Sequence, residues 1–294
     1  MFFSYPIHES IRVWLETGTS WKRDPKKFRE GEGVPKAMTV AGSDSGGGAG
    51  IQADLKTFAA LRVYGTSVVT AITAQNTTAV HGIHEVPLDM IASQMDAVIA
   101  DIGVDSVKTG MLASRPIIET VSNRLADYDL DSIVVDPVMI SKSGACLLKE
   151  DALEALKTKL LPLAAVVTPN IPEAEILSGM RIESKSDARQ AARLISNLGP
   201  RAVVVKGGHL SGAPMDLLYE NAEFTEYEGT RVDTRNTHGT GCTFSSAIAA
   251  GLAHGFELKE TVAMAKEYVT GAMKTAFPVG LGHGPLNHLH YFWR

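Results

Sequence analysis

Two cysteines in 294 residues, Cys146 and Cys242, are too few for a disulfide framework and fit a reducing compartment. Charge of neither sign dominates: 28 Lys and Arg stand against 33 Asp and Glu, so there is no basic footprint for nucleic acid or an anionic membrane surface. No apolar run approaches the roughly 20 residues needed to span a bilayer. The Gly-x-Gly-x-x-Gly spacing of a dinucleotide site is missing, as is the Gly-Lys-Ser/Thr of a P-loop, which argues against a nicotinamide-dependent oxidoreductase. The expectation is a cytoplasmic protein with neither nucleic-acid nor membrane partners.

What is present is core-forming material. At 45% hydrophobic, the chain can fill one large or two small domains. Residues 1–36 stand apart, with two of the three tryptophans (Trp14, Trp21) and a charged stretch from Lys22 to Lys36. They lack an apolar core of signal-peptide length and are read as an appendage of unassigned role. From residue 37 to 294, near-continuous apolar runs at 37–41, 67–74, 106–109, 132–135, 165–168 and 202–206 read as strands. Helical patterns fall at 51–61, 88–100, 115–127, 149–161, 186–198, 243–254 and 258–275, with a hairpin over 215–219 and 223–227. Buried strands alternating with helices predict a single α/β domain, its sheet mostly parallel and covered on both faces.

In such sheets ligands bind beyond the carboxyl ends of the strands, so the polar residues ending these runs should converge. Most informative is the stretch 234–246, Thr-Arg-Asn-Thr-His-Gly-Thr-Gly-Cys-Thr-Phe-Ser-Ser, which leads into the small-residue run 247–253. A loop entering a helix at Gly239, Thr240, Gly241 and Cys242 presents unpaired amides, and glycine permits close approach, so it forms either an anion site or an ordinary glycine-rich cap. The amide of Gln75 offers a donor and an acceptor together, so it either reads the polar edge of a ligand or sits solvated in a loop. Met111 and Val138 suit the walls of a flat-ring pocket, and Asp136 either holds a metal-bound water or simply forms a turn. Lys206 ends a strand, where its ammonium either neutralises phosphate, with Gly207 permitting approach, or simply reaches solvent. The histidines suggest no metal site: His81 and His84 are placed in a loop, and His283, His288 and His290 in the tail.

The 234–246 stretch resembles the anion hole of the ribokinase superfamily, whose usual motif is Gly-Ala-Gly-Asp with the Asp as base. Cys242 at the base position resembles the branch that phosphorylates hydroxymethylpyrimidine and its monophosphate. Residues 41–56, Ala-Gly-Ser-Asp-Ser-Gly-Gly-Gly-Ala-Gly-Ile-Gln-Ala-Asp-Leu-Lys, are similar to that branch's glycine-rich segment. There the segment lies against the pyrimidine, implying ring contacts at Gly42 and Ala49, with Asp54 near the hydroxymethyl side and Gln75 reading the ring. Asn170-Ile171-Pro172-Glu173 resembles the superfamily's Asn-x-x-Glu motif, which organises Mg²⁺ and phosphates and needs to act only through water. Lys206-Gly207-Gly208 resembles its nucleotide-phosphate motif, and Gly282–His288 resembles the branch's C-terminus. Six motifs in family order span about residues 37–290; residues 1–36 have no counterpart.

The resemblance implies a ribokinase-like domain that uses ATP and Mg²⁺ twice in thiamine biosynthesis, first on an aminopyrimidine alcohol and then on its monophosphate. It implies a homodimer. Thr240 joins the phosphate cradle, and Cys242 is expected to serve as base in the hydroxyl step while mattering less in the second. A helix N-terminus lowers a thiol's pKa and a neighbouring anion raises it; the sequence leaves that balance open. Pyridoxine or pyridoxal phosphorylation on the same fold is the nearest alternative, and a non-catalytic ligand-binding regulator is another.

Overall fold

The computed structural model describes residues 33–139, 150–207 and 214–293. Cys146, Gly208, His209 and all but the last four residues of the 1–36 appendage lie outside the described residues.

One sheet organises the domain, and its strands are short and apolar because both faces are covered. Its strands are β1 (Lys36–Ala41), β2 (Tyr64–Val69), β5 (Ser106–Thr109), β6 (Ile133–Val135), β7 (Val166–Val167), β8 (Ala202–Gly207), β9 (Met215–Glu220) and β10 (Glu223–Glu228), in the spatial order β10-β9-β8-β7-β6-β5-β1-β2. From β2 to β8 all pairs are parallel; the β9–β10 hairpin adds an antiparallel edge. The helices are α1 (Gly50–Ala60), α2 (Leu88–Asp101), α3 (Arg115–Asp127), α4 (Glu150–Ala155), α5 (Ile171–Ser178), α6 (Lys185–Ser196), α7 (Thr240–Ala253) and α8 (Leu258–Lys274). Beyond α4 the chain loosens into a π turn, Leu156–Leu160, and a 3₁₀ turn, Leu161–Leu163.

Alternation along each strand splits the core in two. Met38, Val107, Val135 and Val205 face α2–α6, whereas Ala37, Val134, Val166 and Val204 face α1, α7 and α8. The small residues of α7 serve close packing: a Cβ on Gly251 would stand 2.7 Å from Thr261 on α8.

The run at 67–74 is not one strand. The chain breaks at Thr70, whose amide bonds Ala41 O and whose hydroxyl bonds Met111 O, and β3 (Ala71–Gln75) leaves the main sheet. It pairs antiparallel with β4 (Val80–Glu85), so His81 and His84 are strand residues, not loop residues as expected. The polar composition of β4 hid it: this ribbon lies on the surface, with Ile72 and Ile83 exposed. Among the described residues no helix is long and apolar enough to cross a membrane.

Candidate active site

Three chain segments meet at the carboxyl edge of the sheet: the turn after β1, the end of β3, and the turn before α7. The first is built around Asp44, almost fully buried. Its carboxylate accepts the amides of Gly46 (2.8 Å), Gly48 (3.0 Å) and Ala49 (2.8 Å), and His238 Nε2 lies 2.8 Å from Oδ2. Those hydrogen bonds and the adjacent imidazole hold the Asp44 carboxyl below its ordinary range despite desolvation, which acts the other way. Gly42 closes the turn against Met111, since a Cβ there would lie 2.5 Å from Met111 Cε.

His238 carries the join to the other two segments. Its Nε2 lies 3.4 Å from the Gln75 amide nitrogen, and its own amide bonds Gly284 O in the C-terminal tail. Gly239 follows with φ +82°, and a Cβ there would overlap the carbonyl of Gly48. Gln75 is thus tied, through His238, to the turn that leads into Cys242. The Thr240 amide and hydroxyl turn back to Thr237 O, and Thr243 N bonds Gly239 O. This leaves Gly241 and Cys242 as the first-turn donors not used within the turn.

Beside Gly241 lies the charged cluster. A Cβ on Gly241 would stand 3.4 Å from Lys206 Nζ and 3.8 Å from Asp136 Oδ2. Lys206 Nζ bonds Asp136 Oδ1 at 3.0 Å, and that carboxylate keeps the ammonium charged against the cost of burial. Asn170 and Glu173 form a capping box on α5: Glu173 N donates to Asn170 Oδ1 (2.9 Å) and Asn170 N to Glu173 Oε2 (2.8 Å). Burial pushes the Glu173 carboxyl up to about 7, Lys206 opposing and Asp136 reinforcing the shift. Val138 borders a small apolar hollow with Gly110, Leu112 and Leu156.

Two readings become more definite here. Asp54, placed beside the substrate by resemblance, has no exposed surface; its oxygens are taken by Lys108 Nζ (3.1 and 2.9 Å), Thr39 (2.6 Å) and Ser246 (2.7 Å), so it lies beneath the cleft. The opposing influences on Cys242 resolve upward. Desolvation leads, the Lys108 ammonium opposes it, Asp54 and Asp136 add to it, and the thiol rises to about 11 although it accepts the Gly50 amide.

Asp44, His238, Lys108 and Ser246 were not assigned from sequence. His238 was the most accessible of these, standing directly before the anion-site glycine; Asp54 and Ser246 are one helical turn after Gly50 and Cys242, a spacing that signals a shared interface only once α1 and α7 are known to pack.

Comparison with known proteins identifies the chain's relatives. The phosphomethylpyrimidine kinase family model matches residues 44–287. The hydroxymethylpyrimidine/phosphomethylpyrimidine kinase of Streptomyces coelicolor is 51% identical over 254 residues, covering 86% of this chain and 94% of its own. The thiamine biosynthesis bifunctional protein ThiED of Geobacter sulfurreducens is 54% identical over 86% of this chain, which spans only 52% of that longer protein. The solved ADP complex of Bacillus subtilis pyridoxal kinase superposes with a TM-score of 0.83 at 41% identity, covering 89% of this chain and all of that one.

Proposed function

The chain belongs to the phosphomethylpyrimidine kinase family, and from that membership we propose that it phosphorylates 4-amino-5-hydroxymethyl-2-methylpyrimidine and then its monophosphate, with ATP as donor, in thiamine biosynthesis. The observation that supports this reading is His238, which lies 3.4 Å from the Gln75 amide and stands directly before the helix N-terminus that carries Cys242.

In this reading Gly42, Ala49, Met111 and Val138 contact the ring and Gln75 reads its polar edge. Asp54 acts from below, through Lys108 and Ser246. The amides of Gly241 and Cys242 receive the migrating phosphoryl, with Gly239 and Thr240 shaping the turn, while Lys206 and Gly207 take the nucleotide phosphates. Phosphoryl transfer needs positioning and charge neutralisation above all. Asp136 and Glu173 fit Mg²⁺ as an oxygen-only pair acting through water, without a complete cage, and Asn170 orients Glu173. Bound there, Mg²⁺ neutralises charge on the phosphates. In the first step the alcohol proton passes to the Cys242 thiolate, the alcohol oxygen bonds the γ-phosphorus, and the bond to the β–γ bridging oxygen breaks, its electron pair leaving with ADP. We further place the enzyme in the cytoplasm as a homodimer, the surface β3–β4 ribbon, with Ile72 exposed on one face and Ile83 on the other, offering contact area to a second copy.

The test is ATP turnover with the pyrimidine alcohol, following mono- and diphosphate. Pyridoxal is the second reading, favoured by the likeness to the B. subtilis pyridoxal kinase. A higher kcat/KM for pyridoxal than for the pyrimidine alcohol would replace the first reading with the second.

A further inference from the structure

A fully buried ion pair lies beneath the site, and the mechanism above uses its lysine only as a partner of Asp54. Lys108, on β5, has no exposed side-chain surface and binds both oxygens of Asp54. Asp54 sits on α1 and Ser246 on α7, so the pair ties both helices to the sheet. The α1–α7 contact has two rungs one turn apart. In the upper rung the Gly50 amide donates to Cys242 Sγ; in the lower, Ser246 Oγ donates to Asp54 Oδ1. The backbone leaves room for the ammonium, since a Cβ on Gly110 would stand 2.8 Å from Lys108 Nζ.

A buried pair of this kind is weak evidence for stability, because desolvating both ions offsets most of their attraction. Its placement has a second consequence. The charges that act on Cys242 come from four elements: Lys108 from β5, Asp54 from α1, Asp136 from the end of β6 and Lys206 from β8. Lys206 is engaged by Asp136 and faces the Gly241 turn. Lys108 is thus the cation anchored on the same helix pair that carries the thiol.

We propose that Lys108 is a positioning residue for the alcohol step: clamped by Asp54 and Ser246, its ammonium is the fixed counter-charge to the Cys242 thiolate that accepts the alcohol's proton. The proposal rests on the kinase reading for its chemistry, but its electrostatic content is measurable without turnover. Cys242 loses its proton to solvent before the alcohol's proton arrives, and a nearby ammonium held rigidly favours that anion without reorganising.

The test uses the full chain carrying Cys146→Ser, so that Cys242 is the one remaining thiol. Its alkylation by iodoacetamide is followed against pH, and steady-state kinetics are measured on the alcohol and on the monophosphate. Lys108→Met combined with Asp54→Asn removes both charges and leaves neither ion stranded. Because the lysine outweighs the carboxylate at Cys242, alkylation at pH 8.5 should slow about tenfold in this variant. Its kcat on the alcohol should fall about tenfold or more, with the KM for ATP unchanged. Ser246→Ala, which keeps both charges and cuts only the tie to α7, should slow alkylation about threefold. An alkylation profile superimposable on the parent's in a folded double variant overturns the proposal. Should the double variant fail to fold, an unchanged profile in Ser246→Ala overturns it instead. If the parent turns over no pyrimidine alcohol, the kinase reading fails while the alkylation result still judges Lys108.

Discussion

His238 Nε2 and Asp44 Oδ2 lie 2.8 Å apart although 194 positions separate the residues in the chain. The contact joins the glycine-rich turn after β1 to the turn that opens α7 and holds the two in one geometry. Asp44 also takes three backbone amides, which makes it the organiser of its own turn.

Asp44→Asn sets an amide against amides that need an acceptor, leaving donors unmatched in a buried turn. Such mismatches cost about 1–3 kcal/mol. The expected result in urea unfolding is a loss of that size, and in kinetics a rise of about tenfold or more in KM for the alcohol. His238→Ala should raise the same KM with a smaller stability loss, because the three backbone amides keep their acceptor. A KM unchanged in both variants would show that the two turns act independently.

Gly239→Ala tests the turn itself. Gly239 has φ +82° and its missing Cβ faces the Gly48 carbonyl, so alanine carries both a left-handed strain of about 1–2 kcal/mol and a steric overlap. The expected outcome is a folded protein with a lowered melting temperature and kcat reduced about a hundredfold for both phosphorylation steps, since both use the same turn.

With its thiol pushed up to about 11, Cys242 is a thiolate in only about one molecule in several thousand near pH 7.5. If that thiolate is the base, kcat/KM on the alcohol climbs nearly tenfold per pH unit between pH 7 and 9. Cys242→Ala should flatten that profile and slow the alcohol step about 10²–10⁴-fold, while slowing the monophosphate step less than tenfold. Equal slowing of both steps, or of neither, would end the division of roles.

Glu173 gives a stability prediction with a definite sign. Its folded value, about 7, stands above the ordinary 4.5, so the folded state favours the protonated acid. The resulting stabilisation is fully present below pH 4.5 and is lost as pH rises through 7. Glu173→Gln keeps an acceptor for the Asn170 amide and removes the titration. The metal-free variant should therefore be more stable than wild type at pH 8, by about 3 kcal/mol, and no more stable at pH 4. Activity should fall, and calorimetric unfolding across that pH range checks the rest.

Much of the cleft was legible because its local chemistry is periodic. The Gly239–Cys242 turn, the Asn170 cap and Lys206 at a strand end each announce themselves within a few residues, and the structure brings all three to one edge. The β3–β4 ribbon was not legible, since a surface ribbon needs little hydrophobicity. The role of Asp44 was hidden because an Asp among glycines reads as a turn former until its distant histidine partner is known. Asp54 shows a different limit: a motif match names a neighbourhood, whereas its burial depends on which side chains close over it.

By itself, the sequence determined the alternation of strands and helices, the polar strand ends and the glycine-rich turn into α7, because each follows from local spacing and backbone freedom. Only the tertiary structure decided the ionisation of Cys242, the burial of Asp54 with Lys108, and the bridge from His238 to Asp44. Those depend on desolvation and on charges brought together from remote parts of the chain, and electrostatic energy is set by distance in space.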